Sequence, residues 1–304
     1  MSLNSEHLIA EKFGEGKKQL LIAIGAMHGN ERAGIEAIER VFKVLNHTTK
    51  KFNGGFIGIK GNLLALRHEK RYIKNDLNRI WTNSDFEIAR KCNSAVDCPD
   101  HYQLKTLKSA IDYYTGLGYE EIVIIDLHTT SATGGVFIAC PEDETHVKMI
   151  KRLHVPVILN LADDLNGTAM QHFWDNDIVS FAFEGGNHYN PDSANKMESA
   201  LWLCLEYLGH VDRNEYDNVE YHDLRLIHAT EGLPHFCKII LHHKINKGDN
   251  FRMEPGFTNF QPVSKGTLLA QDINGDIFCP EDCFMLMPLY QEQGSDGFFL
   301  VKQL

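Results

Sequence analysis

The sequence predicts an α/β fold, a sheet flanked by helices, followed by a smaller C-terminal all-β domain. Three observations predict it. Continuous apolar runs alternate with amphipathic helical patterns over the first two-thirds of the chain, that texture stops near Gly209, and 304 residues is about twice a typical domain of ~150. The expected domains are 1–210 and 211–304.

Taken in order, "QLLIAIG" (19–25) is a strand followed by "GIEAIERVFKVLN" (34–46), whose apolar residues recur at helical spacing. "GGFIGIKGN" (54–62) is a second strand, "YQLKTLKSAIDYYTGLG" (102–118) a second helix, and "EEIVIIDLHTT" (120–130) a third strand. Ile/Val/Leu runs of this length suit strands covered on both faces by helices. "VPVILNL" (155–161), "DIVSFAFE" (177–184) and the helix "SANKMESALWLCLEYLG" (193–209) continue the alternation. After the charged segment "HVDRNEYDNVEYHD" (210–223), the runs "PHFCKIILHHKI", "GFTNFQPVSKGTLLAQ", "GDIFCPEDCFMLMPLY" and "DGFFLVKQL" are short and separated by Gly, Pro and Asn turns, as β strands are.

The composition excludes several classes of function. A net charge of −11 without any lysine or arginine block makes nucleic acid a poor partner. The start "MSLNSEHLIAEKFGEG" has neither the basic beginning nor the apolar core of a signal peptide, and no apolar stretch approaches 18 residues. A cytoplasmic protein without a membrane partner is expected. Seven cysteines scattered over such a chain argue for reduced thiols rather than a disulfide framework. Cys92/Cys98 and Cys279/Cys283 are each only half a zinc site.

The chemistry gathers at strand ends. In open α/β sheets ligands bind beyond the carboxyl ends of the strands, and "GAMHGNERAG" (25–34) places His28 and Glu31 there. The pair offers an imidazole and a carboxylate to zinc, although Glu31 alone could equally favour the helix dipole. His128 ends the "IVIIDLH" strand, with Asp126 on the same face. His28, Glu31 and His128 together make the His2Glu set of a catalytic zinc site, and Asp126 is placed to orient a ligand histidine. Glu184 ends a further strand, where a carboxylate can serve as general base or as an ion-pair partner. In "LRHEKRYIKNDLNRIW" (66–81), Arg67, Arg71, Asn78 and Arg79 could bind a carboxylate or an oxyanion; a solvated loop is the simpler reading for Arg67.

"HGNE", "RYIKNDLNRIW", "DLHTT" and the strand-final Glu184, in this order and at these separations, resemble the succinylglutamate desuccinylase/aspartoacylase family of zinc amidohydrolases. The resemblance implies a zinc-carboxypeptidase-like catalytic domain, with a mixed sheet flanked by helices, and a β-rich C-terminal domain that narrows access to the site. It implies one Zn2+ per chain on His28, Glu31 and His128, Glu184 as general acid/base, and Arg71 polarising the scissile carbonyl. Asn78 and Arg79 would bind a carboxylate of a small N-acyl amino acid. Two departures count against N-acetylaspartate as the substrate. Mammalian aspartoacylases have a substrate-binding arginine where Trp174 stands, and a tyrosine near the C-terminus is replaced by Phe298 or Phe299.

Among the other residues, His242 and His243 face opposite ways along a strand and are not expected to chelate together. Trp81 and Trp202 are expected to pack, Trp174 to pack or to line an acyl pocket, and His188 and Tyr189 to line the pocket or form a polar loop. A metallocarboxypeptidase-like peptidase and a non-catalytic metal- or ligand-binding protein remain as alternatives. The acyl group, the amino acid and any homo-oligomer are left open.

Overall fold

The computed structural model describes residues 6–161, 165–216 and 218–304. The chain opens with strands β1 (Leu8–Phe13) and β2 (Glu15–Gly25), helix α1 (Ala33–His47) and strand β3 (Asn53–Lys60). Helices α2 (Leu63–Arg67), α3 (Asn83–Lys91) and α4 (Pro99–Thr115) precede strands β4 (Glu121–Thr130) and β5 (Phe137–Cys140). Next come α5 (Glu144–Ile150), β6 (Val157–Leu159), α6 (Ala169–Trp174), β7 (Val179–Asn187), α7 (Asp192–Tyr207) and α8 (Asn218–Ala229). The remainder is β8 (Phe236–Lys244), β9 (Arg252–Met253), β10 (Pro262–Val263), β11 (Leu268–Asp272), β12 (Gly275–Phe278), β13 (Cys283–Leu286) and β14 (Asp296–Gln303).

One mixed sheet of eleven strands, ordered β1-β3-β2-β4-β7-β5-β6-β8-β14-β13-β10, runs through both parts of the chain. Its centre, β3-β2-β4-β7, is parallel, and β8, β14, β13 and β10 pair antiparallel. Strands β9, β11 and β12 form a separate small sheet. The parallel centre is buried on both faces, which is why its strands read as unbroken apolar runs. Alternate residues of β2 and β4 (Leu21 and Ala23; Val123, Ile125 and Leu127) pack under α1, α7 and α8. Their neighbours Leu20, Ile22, Ile24 and Ile124 meet α4 and α6 on the other face. Helix α7 is wedged between the sheet, α1 and α8, so it is apolar nearly all round and Trp202 is fully buried.

The first strand expected after the charged segment is β8, from Phe236, and the charged segment itself runs into α8, whose Val219 and Leu226 bury against α7. One expectation needs correction: Cys92 and Cys98 are joined in a disulfide. The short α3–α4 loop brings their Cα atoms to 6.2 Å, a local geometry that a chain-wide count of cysteines does not register. The cysteines at 140, 204, 237, 279 and 283 are free and buried, as expected of reduced thiols.

Candidate active site

The chain crosses from β2 through α1 to β3 on one side and returns from β3 through α4 to β4 on the other side of β2, so a crevice opens beyond the carboxyl ends of β2 and β4. The turn after β2 packs tightly on α2. A Cβ at Gly29 would lie 2.0 Å from the Ala65 carbonyl carbon, so glycine is required there. Glu31 stands two residues ahead of α1, and its carboxylate turns to two imidazoles and to the Thr129 N–H at 2.9 Å rather than to the helix end.

His28 Nδ1 lies 2.8 Å from Glu31 Oε1, and His128 Nδ1 lies 3.0 Å from Glu31 Oε2. Donor atoms of the three residues fall within 4.8 Å of one another, and all three are buried. Among the described residues this is the one group of three such side chains that could hold a metal ion. Each imidazole also reaches a carboxylate with its other nitrogen: His28 Nε2 to Asp76 Oδ1 at 3.1 Å, and His128 Nε2 to Asp126 Oδ2 at 2.8 Å. Carboxylates in that position fix the ring and leave Nδ1 as the ligating atom, so the donor set fits zinc. Burial alone would raise the Glu31 carboxyl, but the two histidines outweigh it and hold it well below the usual carboxylate range. Burial alone would likewise lower His128, but Asp126 and Glu31 raise it well above an ordinary histidine.

Glu184 is level with His128 across β4–β7, and its Oε2 is buried with no hydrogen-bond partner. Burial lifts its carboxyl to about 7; His128 opposes that rise and the Glu31 charge adds to it. A carboxyl poised there can exchange a proton near neutral pH.

Arg71 donates from Nε to Asp76 Oδ2 at 3.0 Å and lies 3.5 Å from Glu31 Oε1. Asn78 accepts the Ala169 N–H at Oδ1, which fixes the start of α6. Arg79 donates to Asp296 Oδ2 at 2.6 Å and to its neighbour's carbonyl, Asn78 O, at 2.8 Å. His28, Glu31, His128, Glu184, Arg71, Asn78 and Arg79 thus line a single cavity of about 60 Å³. Arg67 does not. It is exposed and paired with Glu6, the solvated reading.

Several residues at the cavity rim carried no signal in the sequence. Asp76 backs both His28 and Arg71, although it stands in a loop without periodicity. Asp296 on β14 braces Arg79 and is itself held by His242 at 2.8 Å. Gln291 contacts Asn30 and His188, and Gln293 accepts the Arg71 N–H. Phe298 and Phe299 are fully buried, stacked on His243 and His242, and do not line the cavity. Tyr189 is exposed, whereas His188 bonds Thr129. Trp174 does line the cavity.

A family model described as the succinylglutamate desuccinylase/aspartoacylase catalytic domain matches residues 16–209. The succinylglutamate desuccinylase of Erwinia tasmaniensis is 31% identical over 263 residues, covering 83% of this chain and 74% of that protein. The crystal structure of a succinylglutamate desuccinylase from Vibrio cholerae superposes with a TM-score of 0.66 at 15% identity, over 94% of this chain and 82% of that one. That from Chromobacterium violaceum gives 0.64 at 17% identity, over 99% and 95%. The structural likeness shows a shared fold, and the sequence match shows more: the chain belongs to the succinylglutamate desuccinylase/aspartoacylase family, whose members are hydrolases that deacylate N-acyl amino acids.

Proposed function

We propose that the chain is a zinc-dependent amidohydrolase that removes a small acyl group, of the acetyl or succinyl type, from the nitrogen of an amino acid. The observation that carries the reading is Glu184, a buried carboxyl with an unpartnered oxygen, level with His128 and lining one cavity with the His28–Glu31–His128 group. Zinc held by those three residues would polarise the amide carbonyl and lower the pKa of water from 15.7 to about 7. Glu184 takes the proton of the attacking water and returns it to the leaving nitrogen. Arg71, held by Asp76, stabilises the negative charge that develops on the carbonyl oxygen. Arg79 and the amide nitrogen of Asn78 receive the substrate carboxylate, Asn78 Oδ1 being committed to Ala169.

In this reading residues 1–210 form the catalytic domain, and residues 211–304, helix α8 followed by the strands from β8 onward, shape access to the site. Support comes from the 287–296 segment, whose Gln291, Gln293 and Asp296 reach over to Asn30, Arg71 and Arg79. A cavity of about 60 Å³ suits a short acyl group better than a peptide. The test is turnover of a panel of N-acetyl and N-succinyl amino acids and short peptides by zinc-loaded protein, with a chelated control. Zinc-dependent release of free amino acid is the expected result. Cleavage of peptides alone, or of nothing, would overturn the proposal.

A further inference from the structure

Below Glu184 the cavity continues down the face of the sheet. Ala182 lies two residues earlier on β7, on the same face, and pairs with Ala139 of β5. Two adjacent alanines leave the floor open where larger side chains would fill it. Met170 and Trp174 of α6 cover this arm, and Leu161 and Leu165 line it too.

Most polar atoms near the arm are already in use; Ser180 Oγ and His146 Nδ1 are buried without a hydrogen-bond partner, but neither residue lines the cavity. The Trp174 indole N–H donates to the Ser180 carbonyl at 2.7 Å, so the ring offers the cavity carbon. His146, edge-on to that ring, accepts the Ser180 N–H at Nε2. Thr168 contributes one neutral hydroxyl, which caps α6 by accepting the Gln171 N–H. Arg71 and Arg79 are the cavity's permanent cations, and both also line an adjoining pocket under the 287–296 segment; of the cavity's apolar residues Met287 shares that pocket, and the six of the arm do not. The positive charge therefore sits toward the C-terminal segment, away from Trp174. A carboxylate pushed into the arm would lose its hydration and meet no cation, whereas a methyl or short alkyl group would gain burial.

We propose that this arm receives an uncharged, apolar group of the substrate, so that the chain prefers N-acyl amino acids with a single carboxylate and discriminates against dicarboxylic ones. The inference rests on the deacylase reading and narrows it. The apolar group has two sources, the acyl chain or the amino-acid side chain.

The experiment compares kcat/KM of the zinc-loaded chain for N-acetyl-leucine, N-butyryl-glycine, N-acetylaspartate and N-succinylglutamate. At least one of the first two should exceed N-acetylaspartate, with two carboxylates, and N-succinylglutamate, with three, by on the order of 100-fold. Whichever of the two is faster identifies the group that enters. Binding of the same compounds to the Glu184→Gln variant, read by calorimetry, should follow the same order while turnover is slowed about 10³-fold. Ala182→Val, which shortens the arm without charging it, should lower kcat/KM for the preferred apolar substrate more than for N-acetylglycine. If N-acetylaspartate or N-succinylglutamate is the best substrate, the inference is overturned while the deacylase reading stands. If no member of the panel is cleaved, the deacylase reading itself falls, and the inference with it.

Discussion

At one end of the cavity His28, Glu31, His128, Arg71 and Arg79 are each held by an ionisable partner, whereas at the other end Ala139, Ala182, Met170 and Trp174 present carbon. The first end is a set of fixed directions, in which removing one group strands another buried charge. The second is a volume, in which a substitution changes shape and little else. Glu184 stands at the seam. It shares the burial of Glu31 but not its partners: Glu31 is bonded by His28, His128 and Thr129 and held low, while Glu184 has an unpaired oxygen and is lifted to about 7. Two glutamates in one cavity are thereby set up for different work, one to ligate and one to carry a proton.

The change expected to break this contrast most severely is Glu184→Gln. It keeps the shape and the His–Glu–His group and removes the proton carrier, so kcat should fall about 10³-fold with metal content unchanged. Metal analysis beside steady-state rates checks both halves, and near-normal turnover would sink the assignment of the base. Arg71→Ala comes next. Loss of one charge-stabilising donor typically costs about 3 to 4 kcal/mol of barrier, which predicts a rate loss of roughly 10²- to 10³-fold, carried in kcat.

Smaller effects separate the two backing carboxylates. Asp76→Asn and Asp126→Asn should each weaken metal affinity by about 10- to 100-fold, measured by competition with a chelator. Asp76 also holds Arg71, while Asp126 Oδ2 is bonded to His128 and its Oδ1 has no partner. Asp76→Asn should therefore lower kcat even at saturating zinc, and Asp126→Asn should recover when zinc is restored. Equal behaviour of the two variants would contradict the division of roles.

What the sequence made legible follows the same divide. The parallel strands announce themselves because burial on both faces leaves only apolar residues between the turns, and the chemistry stands where each run stops, at His28, His128 and Glu184. Asp296 meets Arg79 across 217 positions of chain, and nothing local to either marks the pair. Strand alternation correctly sends His242 and His243 to opposite faces, yet only the β8–β14 pairing reveals that one of them bonds Asp296. Helix α8 hid because its buried positions, Val219, His222 and Leu226, are sparse in a charged segment. The apolar arm was foreshadowed by Trp174 alone. Its floor depends on two alanines, and alanine carries almost no signal.

The mildest test concerns the brace between the two parts of the chain. Burial alone would raise the Asp296 carboxyl, but the His242 hydrogen bond and the Arg79 guanidinium outweigh it and hold it at about 2. A carboxyl depressed in the folded state adds stability that is present above its ordinary pKa of ~3.9 and is lost as pH falls through the folded value. Asp296→Asn should then cost no more than about 2.6 kcal/mol at neutral pH, and the gap between parent and variant in urea unfolding should close between pH 4 and 2. A gap that does not change with pH would show that the pair contributes through packing rather than charge. The same variant leaves Arg79 with Asn78 O as its remaining bonded partner. A guanidinium held less firmly should bind the substrate carboxylate less well, raising KM by about 10-fold with kcat little changed. If KM falls instead, Asp296 competes with the substrate for Arg79, and the C-terminal strand restrains the polar end of the cavity rather than preparing it.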